Sequence, residues 1–264
     1  MRSAIGNRFV ACGALIAACQ LGVSAPLAEE VSPDSQSKLV TGRLGAGALT
    51  DSRYSGGGDS QTFPVPLASL EIGDFAYIEY WEAGLFVLSN EAKTLGLAAV
   101  ATPRLGFSSS DGRRLGGMTR RQSSIEAGLS VNYGSDDAGV SLGYLHDVTG
   151  ASRGGVVRLL AFKHYDITDR FGVDAYAGLE RLDSKLADYY YGVADHEATA
   201  ARPAYQPGVS TAVTAGFHFN FDLGRKSSLL FGYEPTLLGR SLANSSIVER
   251  RTTSVFFVGY GWRL

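Results

Sequence analysis

The sequence predicts an all-β protein, a transmembrane antiparallel up-and-down β-barrel. Three observations lead to this fold class: an export signal at the N-terminus, long segments of alternating apolar and polar residues, and connections that are alternately short and long. The composition agrees, because 33 Gly, 13 Tyr and 13 Phe among 264 residues favour strands joined by tight turns. The 24 Lys and Arg are balanced by 26 Asp and Glu, so the basic excess typical of nucleic-acid binding is absent from the sequence.

The first element is a targeting segment. Arg2 and Arg8 form a positive region, and residues 9–18 form an apolar core that is too short to span a bilayer. The small residues that end at Ala25 are typical of a signal-peptidase site. The chain is therefore expected to be exported.

This segment sets the predicted organisation of the chain. We expect a signal peptide over 1–25, a short periplasmic segment over 26–38 and the barrel over 39–264. Lipoprotein processing at Cys19 is an alternative, because the residues before it resemble a lipoprotein box. Cys12 is the other cysteine, so a chain cleaved after the signal peptide would have no disulfide or thiolate site.

The strands are indicated by alternation with a period of two. The clearest segments are 124–133, 171–180 and 210–221; in the last, apolar residues such as Val213 and Phe217 alternate with small or polar ones. A soluble sandwich also alternates, but its outer face is usually rich in Lys, Glu and Thr, whereas these polar faces are mostly Gly, Ser and Asn. The segments also reach the roughly 9–11 residues that a tilted membrane strand needs.

The connections follow a parity that favours a membrane barrel, in which periplasmic turns are short and external loops are long. The short connections lie at 135–136, 166–169 and 222–225, and the long ones at 108–121, 184–206 and 241–250.

The alternation of short and long connections then gives each strand a direction across the membrane. Outgoing strands are predicted near 39–49, 75–80, 94–107, 137–148, 170–183 and 226–240, and incoming strands near 65–72, 83–90, 121–133, 153–165, 208–221 and 251–264. This gives about 12 strands, with both ends of the barrel on the periplasmic side. If the region 65–90 forms one strand pair fewer, the barrel has 10.

The last strand is typical of outer-membrane barrels. Phe256, Val258, Tyr260, Trp262 and Leu264 share one face of a strand that ends at the last residue. Such aromatic alternation is read by the barrel assembly machinery, although the usual final residue is Phe. Aromatic residues near strand ends are expected in the interfacial girdles.

One long loop carries a recognisable motif. Residues 189–193 read YYYGV, 196–198 read HEA and 202–208 read RPAYQPG. This pattern resembles the MipA/OmpV family (MltA-interacting protein), which carries a "YYGV…EA…R-PAY-PG" signature between two late strands. Residues 244–248, NSSIV, resemble that family's "DSPIV" loop, with Asn in place of Asp and Ser in place of Pro.

The resemblance implies an outer-membrane barrel without enzymatic activity. It implies a scaffold whose partners are a lytic transglycosylase and a penicillin-binding protein on the periplasmic side, in addition to outer-membrane lipid. Two alternatives stay open: a surface adhesin that binds through the external loops, and a narrow pore for small solutes. The short turns are an objection to the scaffold, since a standard interface needs about 800 Å² per partner.

The residues of the motif also have a structural interpretation. The tyrosines at 189–191 and Tyr205 have apolar rings with hydroxyl tips, suited to folding a long loop onto the barrel mouth as a plug or lid. Pro203 and Pro207 stiffen the chain before the next strand. A direct role in binding a partner is the alternative.

The sequence predicts no catalytic, cofactor or metal site. Asp136 and Asp137 could oppose His146 and Asp147 in a barrel protease, but the two pairs lie at opposite ends of one strand, about 25 Å apart. No Gly-x-Ser-x-Gly elbow occurs in a suitable context.

Two further histidines are assigned to structure. His218 is expected to face the lumen among Ser, Thr and Asn, and the run Asp195, His196, Glu197 is expected to be a solvated surface patch rather than a metal site. Parity also places charges of both signs in the lumen, which predicts ion pairs rather than a selective ring. These charges are Arg43, Glu71, Glu126, Arg158, Asp174, Glu180, Glu234 and Arg263.

Overall fold

The computed structural model describes residues 39–135 and 137–264. The predicted signal peptide (1–25), the lipoprotein box at Cys19 and the predicted periplasmic segment (26–38) lie outside the described residues. Within the described part, no helix is long and apolar enough to cross a membrane.

In the described residues, twelve antiparallel strands form one closed barrel, in which each strand pairs with its sequence neighbours and the first pairs with the last. The prediction of 12 strands is confirmed, and the alternative of 10 is wrong because the region 60–89 divides into three strands. The strands are β1 (Val40–Ser52), β2 (Ser60–Ile72), β3 (Ala76–Glu79), β4 (Glu82–Ser89), β5 (Leu95–Arg104), β6 (Ser124–Gly134), β7 (Ala138–Asp147), β8 (Gly155–Thr168), β9 (Phe171–Leu182), β10 (Ser210–Asp222), β11 (Ser227–Leu238) and β12 (Thr252–Arg263).

Successive side chains alternate between an apolar outer face and a polar lumen. On β6, Leu129 and Val131 are exposed on the outside, whereas Glu126, Ser130 and Asn132 are buried inside the barrel. This is the arrangement of a barrel whose outer band contacts acyl chains. The alternation confirms the register predicted for this strand.

The two ends of the barrel differ in their connections. At one end are short turns, which we call the turn rim: 73–75, 90–94, 135–137, 169–170 and 223–226. At the other end are long loops, which carry α1 (Ser184–Tyr191) and α2 (Arg240–Ala243): 53–59, 105–123, 148–154, 183–209 and 239–251. The general rule for outer-membrane barrels assigns the turn rim to the periplasm and the loops to the outside.

Strands β3 and β4 are too short to complete the wall. β2 pairs with β3 only over its last four residues, and β5 pairs with β4 only from Gly96 to Ala101. Within the described residues, the β2 segment 60–67 and the β5 segment 102–104 therefore have no strand partner on the sides that face each other. We call this gap the side window.

The window has a closed perimeter. Below it lies the β3–β4 turn, where the backbone N–H of Tyr80 donates to the carbonyl of Ala68 over 2.7 Å. Above it, the rings of Tyr54 and Phe107 contact each other with centroids 5.7 Å apart. The window lies nearer the loop end than the turn rim.

Prolines line the window on the β2 side. Because the Ala68 carbonyl faces β3, the other even-numbered residues of β2 also direct their backbone groups to this side. Pro64 and Pro66 are among them, so both lack an N–H at positions where no neighbouring strand could accept it.

The β5 side repeats this feature. The Leu95 carbonyl accepts from the Asn90 N–H across the β4–β5 turn, so the odd-numbered residues of β5 face β4. Pro103 lies just beyond the last paired residue, Ala101, and its nitrogen also points into the window. Because proline has no backbone N–H, a proline at an unpaired edge leaves no donor without an acceptor.

Candidate binding site inside the barrel

The long loops fold over the barrel mouth as one unit, which we call the loop cap: 53–59, 105–123, 183–209 and 239–251. Helix α1 begins at an N-cap, where the Asp183 carboxylate accepts from the backbone N–H of Leu186 at 2.8 Å and from that of Gly155 at 2.7 Å. The helix directs Leu186, Tyr190 and Tyr191 into the mouth, where all three are buried. The predicted plug or lid is confirmed.

A buried ion pair clamps two loops of the cap together. The Arg121 guanidinium donates to both carboxylate oxygens of Glu197, over 2.8 Å and 2.6 Å. A third bond runs from Arg121 Nε to the Tyr189 carbonyl at 2.7 Å. Bidentate pairs of this kind are strong and geometrically specific.

Electrostatics favour the charged form of Glu197. Burial by itself raises the pKa of this carboxyl, but hydrogen bonds from Arg121 and from the backbone N–H groups of Ala194 and Thr119 outweigh burial and lower the pKa to about 2. Glu197 is only 3% exposed, whereas Asp195 and His196 are exposed. The predicted solvated patch is therefore wrong for Glu197, because its partner comes from a different loop.

The rest of the motif closes the cap. Arg202 donates to the carbonyls of Glu197, Arg114 and Gly116, which joins the loops 105–123 and 183–209. The Tyr205 hydroxyl donates to the Ser241 carbonyl at 2.7 Å. The motif residues therefore join the loops of the cap through hydrogen bonds.

The NSSIV segment takes part in the same packing. Ile247 is buried in an apolar cluster of the cap with Leu115 and Val193. Its carbonyl accepts from the Tyr54 hydroxyl at 2.9 Å. This contact ties the loop 53–59 to the loop before β12.

Beneath the cap, one wall of the lumen carries an ion-pair network. Arg158 donates to Glu180 at 2.8 Å and to Glu126 at 3.1 Å, and Arg104 bridges the same two carboxylates. Glu82 joins through Arg158 at 3.9 Å. The predicted lumen pairing is confirmed for Arg158, Glu126 and Glu180, whereas Arg104 and Glu82 are additions that the strand parity could have shown.

The other predicted lumen charges lie in separate places. Arg43 and Arg263 both pair with Asp222 near the turn rim, at 3.5 Å and 3.0 Å. The Asp174 carboxylate accepts a hydrogen bond from His164 Nδ1 at 2.6 Å. Glu71 is half-buried near the end of β2.

Aromatic rings cross the lumen below the network and form a layer that we call the ring floor. The His218 ring contacts Tyr80, Tyr176 and Phe257 with centroid distances of 5.5, 5.0 and 5.1 Å. The prediction that Ser, Thr and Asn surround His218 is wrong, because rings from β9, β12 and the β3–β4 turn reach across to it.

Local backbone features make room for the ring floor. Tyr80 has a φ of +49°, a left-handed conformation that is unusual for a bulky residue and that starts the two-residue turn. Gly232 lies beside Phe257, and a Cβ there would be 2.3 Å from its ring. Space for these rings therefore depends on glycine at this position.

A cavity of about 1510 Å³, counted with the part open to solvent, lies between α1 and the ring floor. Its second wall is formed by β1, β11 and β12, with Asp51 and Glu234 as the acidic residues. Asp51 is 2% exposed, and its Oδ2 atom has no hydrogen-bond partner among the described residues. Glu234 accepts from the Tyr176 hydroxyl at 2.7 Å.

Among the residues considered for catalysis, Asp147 has a structural role. Asp137 and Asp147 lie at opposite ends of β7, as expected, and Asp136 lies outside the described residues. The Asp147 carboxylate accepts from the backbone N–H groups of Thr149, Ser152 and Arg153 and so shapes the loop 148–154. Across residues 39–135 and 137–264, no three His, Cys, Asp or Glu side chains converge as a metal site.

Comparison with known proteins adds to this geometry. The model of the family MltA-interacting protein MipA matches residues 44–264. The outer membrane protein YiaT of Escherichia coli strain K12 is 26% identical over 229 residues, which cover 83% of this chain and 89% of YiaT. Outer membrane protein Omp26La of Vibrio anguillarum is 28% identical over 135 residues, 50% of this chain and 51% of that protein.

Solved barrels resemble the chain more distantly. The NanC porin is 11% identical, with a TM-score of 0.45, and the match covers 84% of this chain and 100% of NanC. The relatives by sequence are outer-membrane proteins, and together with the closed barrel they place this chain in the outer membrane.

Proposed function

The chain belongs to the MltA-interacting protein MipA family, and on that premise we propose that it is a non-enzymatic scaffold for murein enzymes. Its partners are a lytic transglycosylase of the MltA type and, with it, a penicillin-binding protein. Both would bind at the periplasmic turn rim. A soluble or lipid-anchored enzyme held there would lie next to its murein substrate.

The observation that carries this proposal is a pair of exposed large apolar residues on the turn rim. Phe75 is 54% exposed and Leu223 is 46% exposed, and both lie in connections rather than in the lipid-facing strands. Exposed apolar residues surrounded by charges are typical of the centre of a protein interface. Asp74 precedes Phe75 in one turn, and Arg225 follows Leu223 by two residues in the other.

The small contact area of the short turns limits the form of the complex. Each turn has only a few residues, so a partner must contact several turns at once to reach about 800 Å². Phe75 and Leu223 belong to different turns, in accord with such a footprint.

A binding experiment tests the scaffold. The detergent-purified chain is immobilised and exposed to the host's MltA-type transglycosylase, and the double variant Phe75→Glu, Leu223→Glu is compared with Val148→Glu. Val148 is 62% exposed in a connection at the opposite end, so it controls for the added charge. We expect the wild type and the control to bind and the double variant to lose at least tenfold in affinity. Equal binding by all three, or no binding by the wild type, would refute the scaffold.

The alternatives receive unequal support. Exposed Arg113, Arg120 and Arg250 on the loop cap favour binding to an anionic surface from outside. Whole-cell binding by a variant with Ser at these three positions tests that adhesin function, which predicts a loss that increases at low salt. The pore has less support, because the cap and the ring floor obstruct the lumen at two levels; single-channel recording should give little or no conductance.

A further inference from the structure

The buried carboxylate of Asp51 is the starting point. Its Oδ1 atom accepts from the neighbouring Ser52 N–H at 2.6 Å, and its Oδ2 atom, also buried, has no hydrogen-bond partner in the described part of the chain. Asp51 lines the cavity beneath α1. A buried carboxylate oxygen without a donor is costly, so it points to a ligand that donates to it.

A second carboxylate lies on the same wall. Thr50 pairs with Phe256 and Glu234 pairs with Val255, so Asp51 and Glu234 lie at a similar height on either side of β12. Arg104 and Arg158 do not neutralise this wall, because they belong to the network with Glu126 and Glu180. Arg53 also lines the cavity, but its side chain is exposed and forms no ion pair with Asp51.

The surroundings favour an organic cation over a bare metal ion. Within the described residues, no three carboxylate or histidine side chains converge as metal ligands. The cavity wall instead offers the hydroxyls of Thr214, Thr236 and Thr253 and the ring of Tyr191. Hydroxyl acceptors and aromatic faces both suit an ammonium group on a short carbon chain.

The side window borders this cavity. Glu82 and Arg104, which flank the window, also line the cavity. At Pro64 and Pro66 the β2 carbonyl groups face the window and no N–H is present, so this part of the edge offers backbone acceptors without backbone donors. A positively charged donor meets favourable groups along this edge.

We propose that the cavity beneath α1 binds a small organic cation with primary ammonium groups, with Asp51 as its counter-ion and Glu234 as a second acceptor. This site is independent of the scaffold proposal, since it lies inside the barrel and not at the turn rim.

The test is isothermal titration of the detergent-purified protein with 1,4-diaminobutane, using 1,4-butanediol as a neutral analogue of the same length. We expect saturable binding of the diamine and none of the diol. Asp51→Asn keeps the shape of the side chain and removes its charge, and it should lower the affinity at least tenfold. Asp59→Asn makes the same change at an exposed position eight residues away and should bind as the wild type does.

Folding is checked by heat-modifiable migration on a gel. Should Asp51→Asn fail this check, the comparison of diamine with diol on the wild type decides the question, and Glu234→Gln is expected to weaken diamine binding severalfold. The proposal is overturned if the wild type does not bind the diamine, if the diol binds equally well, or if folded Asp51→Asn keeps the wild-type affinity.

Discussion

The loop cap and the turn rim connect the same twelve strands, yet they are held in different ways. In the cap, hydrogen bonds join residues far apart in sequence: Arg121 to Glu197 across 76 positions and Tyr54 to Ile247 across 193. In the turn rim, bonds are mostly local, as where Asn90 accepts from the N–H groups of Thr94 and Leu95. The motif residues lie in the cap because a plug needs specified long-range partners, whereas a short turn is closed by its own strands.

The largest expected effect comes from breaking the clamp. Arg121→Ala leaves the buried Glu197 carboxylate without its charge partner, which should destabilise the cap by about 3–5 kcal/mol. Limited proteolysis of the folded protein should then cut within 105–123 and 183–209, while heat-modifiable migration shows that the barrel persists. Arg120→Ala, at the exposed neighbour, is the control. Equal protection of both variants would mean that the clamp does not hold the cap.

Acid should act on the cap through Glu197. Its pKa is about 2 in the folded protein, below the ordinary 4.5, so its contribution is complete above about pH 4.5 and is lost as the pH falls towards 2. Pepsin cleavage of the cap should rise over this range. Glu197→Gln should be cleaved more readily at the upper end of it and should show a smaller rise. An identical pH profile for both proteins would contradict the assignment.

Loss of the α1 N-cap should have a smaller effect. Asp183→Ala removes the acceptor for the Leu186 and Gly155 N–H groups, and such caps contribute about 1 kcal/mol. Hydrogen exchange of the α1 amides should accelerate, with the strands unchanged. Asp195→Ala, at an exposed position of the same loop, should leave α1 exchange as it is; similar acceleration in both would point to a general loosening instead.

The smallest effect is expected in the turn rim. Lys93 and Asp74 form an exposed ion pair at 2.7 Å, and exposed pairs contribute little. Lys93→Ala should change the free energy of unfolding by less than about 0.5 kcal/mol, measured by urea denaturation in lipid vesicles. A change comparable with that of Arg121→Ala would remove the contrast between the two ends.

The strands could be predicted from the sequence wherever apolar and polar residues alternate without interruption. Strands such as β6 and β10 were predicted close to their observed bounds, because lipid and lumen impose opposite polarity on successive residues. The short β3 was predicted over 75–80, close to its observed bounds, whereas β2 was predicted to begin at 65 and begins at Ser60. Pro64 and Pro66 could have shown that β2 has an open edge.

The site was less readable. Glu197 looks like a solvated residue until Arg121 is brought beside it from another loop, and no local pattern records that contact. The ring floor likewise depends on Tyr80, which has a left-handed backbone conformation and whose ring contacts His218 in the lumen. Asp51 lies on the lumenal side of β1, but the absence of a donor to its Oδ2 atom among the described residues is evident only once every neighbour is placed.

The prolines of the side window have a consequence for how copies of this protein meet in a crowded bilayer. An unpaired strand edge normally invites a strand from a neighbouring molecule, which can extend the sheet into an aggregate. Pro64, Pro66 and Pro103 withhold the donors that such an intruding strand would need. The gap can therefore stay open without turning each barrel into a template for the next.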